Sequence, residues 1–441
     1  MWKQFKNLLQ CNRLINKLIE DLFIKHSTYR LFDVLNWKKE KQKLVRKIIV
    51  DKRTNDDIYN TITILPNLKK LIFTNTFKFD QSNNILPMRL PISLTSLSFG
   101  YYFNKILSPG DLPPNLTKLE FGTTYNQSLT DSELPENLKT LKFGYCFNKP
   151  LDNLPIDLQT LKFGYYFNQP LDNLPVDLQT LKFGYCFNKP LNNLPTKLLS
   201  LVFGTSFNQP LCNLPTNLQT LEFGDYFNHP LDKLPTCLTL LSFGMMFNHP
   251  LKIMSPSLHK LLLGYNFNKT FNVKSIALEK LKFGCYFNQV PENLPSSLTE
   301  LTFGYNFNQV LAELPSSLTE LSFGEAFNQP VDLSYLVNLN KLYFGFSFNQ
   351  SFVNSMDKNI LPDNLKELDF SEDSFFNQPL IKGSLPKCLI HISFGYDFNQ
   401  PLSSGVLPCN LTHLSFGKGF CQPVYEYMLP DKLIYVNRNR L

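Results

Sequence analysis

The stretch LPIDLQTLKFGYYFNQPLDN, Leu154 to Asn173, returns twenty residues later as LPVDLQTLKFGYCFNKPLNN from Leu174. The Asn after the second Phe marks the period. Asn148, Asn168, Asn188, Asn208, Asn228, Asn248, Asn268, Asn288, Asn308 and Asn328 follow one another at 20 residues without a slip. Asn104 and Asn126 precede them at intervals of 22, and Asn349, Asn377 and Asn399 follow at 21, 28 and 22. A fixed short period implies coils that stack on their neighbours into one body, so length alone is no guide to domain number.

Each position of the repeat has a physical reading. Thr160–Phe163 alternates polar and apolar, which predicts a short strand with Leu161 and Phe163 inward and Thr160 and Lys162 facing solvent. One such strand per coil, stacked in parallel, makes a continuous sheet. The Gly that follows, as at Gly100, Gly122, Gly144, Gly164 and Gly184, marks either a bend with positive φ or a backbone approach too close for a Cβ. The second Phe, as at Phe167, fills the interior by stacking on its equivalents. A column of Asn side chains offers donors and acceptors to backbone groups at a buried corner, so the Asn ladder is read as structural. Pro150, Pro170, Pro190 and Pro210 fix φ where no ladder hydrogen bond is needed.

The ends of the array differ from its middle. LPNLKKLIFTNTFKF, Leu65 to Phe79, reads as a degenerate opening repeat, with Thr74 at the Gly position and Lys78 at the Asn position. Fifteen repeats carry the Asn, one carries Cys421 there, and with the opener they predict about 17 turns. LPDKLIYVNRNRL stops within a turn, and residues 437–441 are left as a tail. Residues 1–64 hold no Pro. Their apolar residues from Leu8 to Phe23 fall at helical spacing, and a second helix is expected over Leu35 to Ile49, making an α-helical N-terminal cap.

Charge and cysteine content exclude several functions. The formal net charge is +7, and residues 1–60, with 14 basic and 7 acidic residues, carry all of it; the rest balances at 29 of each sign. No continuous basic stripe of the kind that tracks a phosphate backbone is present, so nucleic acid is not an expected partner. The basic run Lys38–Lys47 is read as a solvated helix face. Nine cysteines lie at scattered positions. Cys146 and Cys186 share a position two coils apart, roughly 10 Å at strand spacing, too far for a disulfide. The N-terminus has charges through its apolar run and no segment reaches the ~20 apolar residues of a membrane span, so a reducing, cytoplasmic setting without membrane contact is expected. Asn-x-Ser/Thr triplets, as at Asn115 and Asn410, are read as products of an Asn-rich repeat. His229 and His249 share a column in consecutive FNHP coils, but Gln209 and Lys269 beside them are poor ligands, and no metal or other cofactor is expected. A phosphate-binding Gly loop and a nucleophile elbow are both lacking, so no catalytic residue is assigned.

The repeat resembles the FNIP repeat, a short relative of the leucine-rich repeat found in social amoebae and in giant viruses that infect amoebae. The residues that carry the resemblance are Phe-Asn-Gln-Pro at Phe167–Pro170 and Phe-Asn-Lys-Pro at Phe147–Pro150, recurring over about residues 65–436. Departures are Tyr125 and Leu263 at Phe positions, Ser371 at a Gly position and Cys421 at an Asn position. The resemblance implies a mainly β, leucine-rich-repeat-like solenoid with a curved parallel sheet and a protein-binding role. For a viral chain it implies the host-cell cytoplasm.

Specificity in a binding solenoid sits on its outward positions. Lys142, Lys162 and Lys182 stand one above another, flanked by Tyr145, Tyr165 and Tyr185, a basic aromatic ladder suited to an acidic partner. Further along, the same face carries Glu300, Glu320, Glu367 and Asp369. The three Lys, the three Tyr, Glu300 and Glu320 form the candidate protein-binding face. The expected function is a non-enzymatic protein-interaction scaffold. The alternative comes from the resemblance: some FNIP repeat proteins carry an N-terminal F-box, which would make residues 1–64 a degenerate F-box-like segment docking a ubiquitin-ligase adaptor, and the repeats a substrate receptor. This chain lacks the Leu-Pro opening of that module.

Overall fold

The computed structural model describes residues 29–35, 37–51, 65–79, 89–129, 134–251, 254–272, 277–356 and 358–438, with residues 17, 20, 21, 25, 27 and 62. The chain divides into two compact units, Met1–Leu218 and Gln219–Leu441.

In the N-terminal unit the described strands are β1 (Tyr29–Arg30), β2 (Lys47–Val50), β3 (Lys70–Phe73), β4 (Ser96–Ser98), β5 (Lys118–Glu120), β6 (Thr140–Lys142), β7 (Thr160–Lys162), β8 (Thr180–Lys182) and β9 (Ser200–Val202). Each pairs in parallel with the next. The register is direct: Leu141 lies opposite Leu161, and Leu161 opposite Leu181. All three are fully buried, while Thr160 and Lys162 are half-exposed. The predicted inside and outside of the strand therefore hold.

The C-terminal unit repeats this from β10 (Thr220–Glu222) to β20 (Tyr435–Arg438), again with every neighbour parallel. The extra residues after Ser351 fold back through a bridge between Val353 and Asn359, closed by Asn354 N–H donating to the Lys358 carbonyl at 2.9 Å. This loop takes up part of the 28-residue spacing between Asn349 and Asn377.

Between strands, the backbone is satisfied coil to coil. The amides of Gln159 and Thr160 both donate to the Lys139 carbonyl, each at 2.9 Å, using its two lone pairs. Leu158 N–H closes a turn onto the Pro155 carbonyl at 3.1 Å, and past the glycine Tyr166 N–H donates to the Tyr145 carbonyl at 2.9 Å. Inside, Phe163 and Phe167 stack face to face with centroids 3.7 Å apart, and each ring stacks on its equivalent in the next coil at 5.6 and 6.0 Å. Tyr125 takes its Phe position within the same stack, 3.9 Å from Phe121. Each buried ring contributes on the order of 1.5–3 kcal/mol, shared only with adjacent coils.

The N-terminal expectations need correction. Helix is limited to Leu31–Leu35 and Lys39–Gln42 in the region where Leu35 to Ile49 was expected to be helical, and Lys47–Val50 is a strand. Ile48 and Val50 are buried and alternate with half-exposed Lys47 and Ile49, a period of two that the basic run beside them obscures. The parallel sheet thus extends upstream of the opening repeat expected at Leu65. The helix expected from Leu8 to Phe23 lies outside the described residues, apart from helical Lys17, Glu20 and Asp21.

Candidate interaction groove

The glycine column decides the surface. A Cβ on Gly164 would stand 1.9 Å from the Gly144 carbonyl oxygen and 2.3 Å from its carbon, and Gly184 meets Gly164 at the same distances. Close approach, not positive φ, explains the column; the glycines with positive φ are Gly110, Gly383 and Gly405, in connecting loops. Ser371 occupies a Gly position where two extra residues, between Phe370 and Phe376, lengthen the corner.

Without side chains at this corner, a trough opens beside the sheet. In the N-terminal unit it has a volume of about 550 Å³. The chain crosses it from the third strand positions Ser98, Glu120, Lys142 and Lys162, through Phe121, Gly122, Phe143 and Gly144, to Asn75 and Thr123 beyond the glycine column. Tyr145 follows Gly144 as Thr123 follows Gly122. Tyr145 stacks on Tyr165, and Tyr165 on Tyr185, with centroids 4.6 Å apart in both pairs. Burial first, and then the neighbouring phenols, push the Tyr145 and Tyr165 hydroxyls above the ordinary value of 10.0. The structure therefore stacks the six predicted residues as a Lys column and a Tyr column on the two sides of the glycines, with Lys142 and Lys162 lining the trough and Lys182 next in register.

A trough of about 560 Å³ lies at the same place in the C-terminal unit, between Lys282, Thr302, Ser322 and Tyr343 on the strands and Met245, Tyr265, Cys285, Tyr305 and Glu325 beyond the glycines. Hydrogen bonding to the Cys285 thiol, aided by that group and the Tyr286 phenol, raises the Tyr265 hydroxyl to about 12. Glu300 and Glu320 lie side by side in register at the first strand position, a different column from the lysines of the other unit. Sequence reasoning missed their counter-charges. Lys280 pairs with Glu300, Lys341 with Glu367 at 3.1 Å, and His391 Nε2 with Asp369 Oδ1 at 2.9 Å. Hydrogen bonds to these carboxylates raise the pKa values of Lys280, Lys341 and His391. The missed signal was simple: Lys280, Glu300, Glu320, Lys341 and Glu367 occupy one column of the repeat.

The Asn ladder works as a one-way relay. The amide of Asn168 donates to Asn148 Oδ1 at 2.9 Å, Asn188 to Asn168, and Asn208 to Asn188. The same contact runs from Asn248 to Asn228 and through Asn268, Asn288, Asn308 and Asn328. Asn148 itself donates to Asn126 Oδ1. The Gln of FNQP adds a second contact, with Gln169 Nε2 donating to Asn148 Oδ1 at 3.1 Å. Even the 28-residue repeat keeps the relay, Asn377 to Asn349 at 3.0 Å. His249 Nε2 lies 3.0 Å from the Asn228 carbonyl oxygen. Among the described residues no group of three or more His, Cys, Asp or Glu is placed to hold a metal. The eight described cysteines are free, Cys146 and Cys186 among them. No helix of the described residues is long and apolar enough to cross a membrane.

The family model for the FNIP Repeat matches eleven segments: residues 79–124, 125–166, 147–186, 167–206, 187–225, 207–246, 275–306, 287–325, 337–373, 376–419 and 398–437. Among solved structures, the chain is similar to CroV588, a giant-virus protein described as a novel circular LRR protein, with 38% identity and a TM-score of 0.75. That match covers 89% of this chain, which spans 62% of the CroV588 chain. YopM from Yersinia enterocolitica WA-314 is similar in fold alone, at 21% identity and a TM-score of 0.58, over 84% of this chain and 87% of that one. No curated protein matches the sequence.

Proposed function

The chain belongs to the FNIP repeat family, and we propose that it is a protein-interaction scaffold without catalytic activity, binding its partner along the trough beside the glycine column. One observation carries the reading. The inward Leu and Phe columns and the glycine floor are nearly invariant from coil to coil, whereas the positions on either bank vary among Lys, Thr, Ser, Glu, Tyr, Met and Asp. Packing dictates the first set, and the second is free to encode recognition. A surface of this kind offers large area and varied side chains but no converging acid, base and nucleophile.

The ubiquitin-ligase alternative gains no support. An F-box is a helical module, and the described residues Lys47–Val50 of the segment assigned to it form a strand of the solenoid sheet.

A photo-crosslinking residue placed at Tyr165, beside the groove, and at Asp157, an exposed position before the strand, tests the proposal in amoebal lysate. Protein adducts that form from position 165 and are absent from position 157 support it. Equal or absent labelling from both positions overturns it.

A further inference from the structure

Three like charges in register distinguish the N-terminal unit's groove. Lys142, Lys162 and Lys182 are direct neighbours on β6, β7 and β8. Like charges opposite one another on adjacent strands repel, and a sheet ordinarily offsets them with a carboxylate on the next strand. The C-terminal unit does so through Lys280 with Glu300 and Lys341 with Glu367. Among the described residues no such bridge reaches Lys142, Lys162 or Lys182: Glu120, the register neighbour of Lys142, pairs instead with Lys118 at 3.8 Å. Lys142 and Lys162 line the trough and Lys182 continues their column one coil on, while the stacked hydroxyls of Tyr145 and Tyr165, across the glycine column, supply hydrogen-bond donors.

We infer that this part of the groove is a docking site for an acidic, extended peptide segment of a partner protein, its carboxylates meeting Lys142, Lys162 and Lys182. The inference rests on the scaffold reading and names the partner chemistry. Three strands at about 4.8 Å span roughly 10 Å, the length of about three extended residues, so a short run of Glu or Asp matches the ladder. Val202 on β9 and Glu120 on β5 end the basic column on its two sides. That boundary favours a short acidic run over nucleic acid, whose backbone binding draws on a longer row of phosphate contacts.

The test is fluorescence anisotropy of the full chain with a labelled peptide carrying a block of consecutive glutamates, beside its glutamine counterpart. The groove variant is Lys142→Thr/Lys162→Thr/Lys182→Thr, a change the fold tolerates because Thr302 holds this position in its own coil. A control, Lys149→Gln/Lys189→Gln/Lys197→Asn, removes the same charge elsewhere, using residues that other coils carry at those positions. The inference expects glutamate-peptide binding that weakens with salt, falls roughly tenfold in the groove variant, and shifts less than about twofold in the control. Equal loss in both variants, no loss in the groove variant, no binding at all, or equally strong competition by single-stranded DNA overturns it. If the peptide fails while position 165 still forms protein adducts, the acidic chemistry falls and the scaffold stands. If both fail, both readings fall.

Discussion

The backbone amide of Asn168 donates to the side-chain oxygen of Asn148, one coil earlier, at 2.9 Å. The contact has a direction: Asn148 accepts for the coil that follows, and its own amide donates to Asn126 in the coil before. A side-chain acceptor is thus required wherever another coil follows, but the donor needs only a backbone N–H.

The first prediction contrasts two members of the ladder. Asn148→Ala removes the acceptor of the Asn168 amide and of Gln169 Nε2. It is expected to destabilise by about 1–3 kcal/mol in urea unfolding, because a half-buried amide is left without its partner. Cys421 donates its amide to Asn399 at 3.0 Å. Cys421→Ser preserves that bond and should change stability by less than about 0.5 kcal/mol. Equal effects at the two positions would refute the one-way relay.

Gly164→Ala tests the close approach. Its Cβ would overlap the Gly144 carbonyl, and backbone cannot move aside as a flexible side chain does. A loss of about 1–3 kcal/mol or more is expected, read as a lowered urea midpoint. Gly110→Ala, at φ +88° with open space around it, meets only conformational strain of about 1–2 kcal/mol. Tolerance of Ala at 164 would show that the coils are less tightly stacked than the structure has them.

Tyr265 should titrate late. Its pKa is raised to about 12 by its hydrogen bond to Cys285, so phenolate absorbance should retain one late-ionising group that moves towards the ordinary 10.0 in Cys285→Ala. The sign for stability follows. Between the unfolded value and about 12 the folded state holds the extra proton, so this contribution is present below pH 10.0 and is lost as pH rises through about 12. An unchanged titration curve in the variant would exclude the thiol as the cause.

His391 makes the opposite end of the pH range informative. Its pKa is raised above 6.5 by the hydrogen bond to Asp369, so the pair's contribution is complete below that value and disappears as pH rises through the raised pKa. The melting temperature of Asp369→Asn should fall below that of the parent at about pH 5 and converge with it in mildly alkaline buffer. A difference that persists or grows at high pH would rule the charge pairing out.

The repeating LPxxLxxLxFGxxFNxPL pattern determined the stacked parallel sheet, the buried Leu and Phe columns and the Asn ladder. It could do so because a 20-residue period fixes every packing position many times over, and a single departure such as Tyr125 does not break the register. Lys47–Val50 was illegible for the converse reason: it lies outside the repeated motif, and its buried Ile48 and Val50 are read correctly only beside Leu71 and Phe73 on the neighbouring strand. Tertiary structure alone chose between the two meanings of the glycine, because the clash lies with a carbonyl one coil away. The shared column placed Lys280 beside Glu300 and Lys341 beside Glu367, but tertiary structure alone showed that these long side chains close into ion pairs and that no described carboxylate does so with Lys142, Lys162 or Lys182.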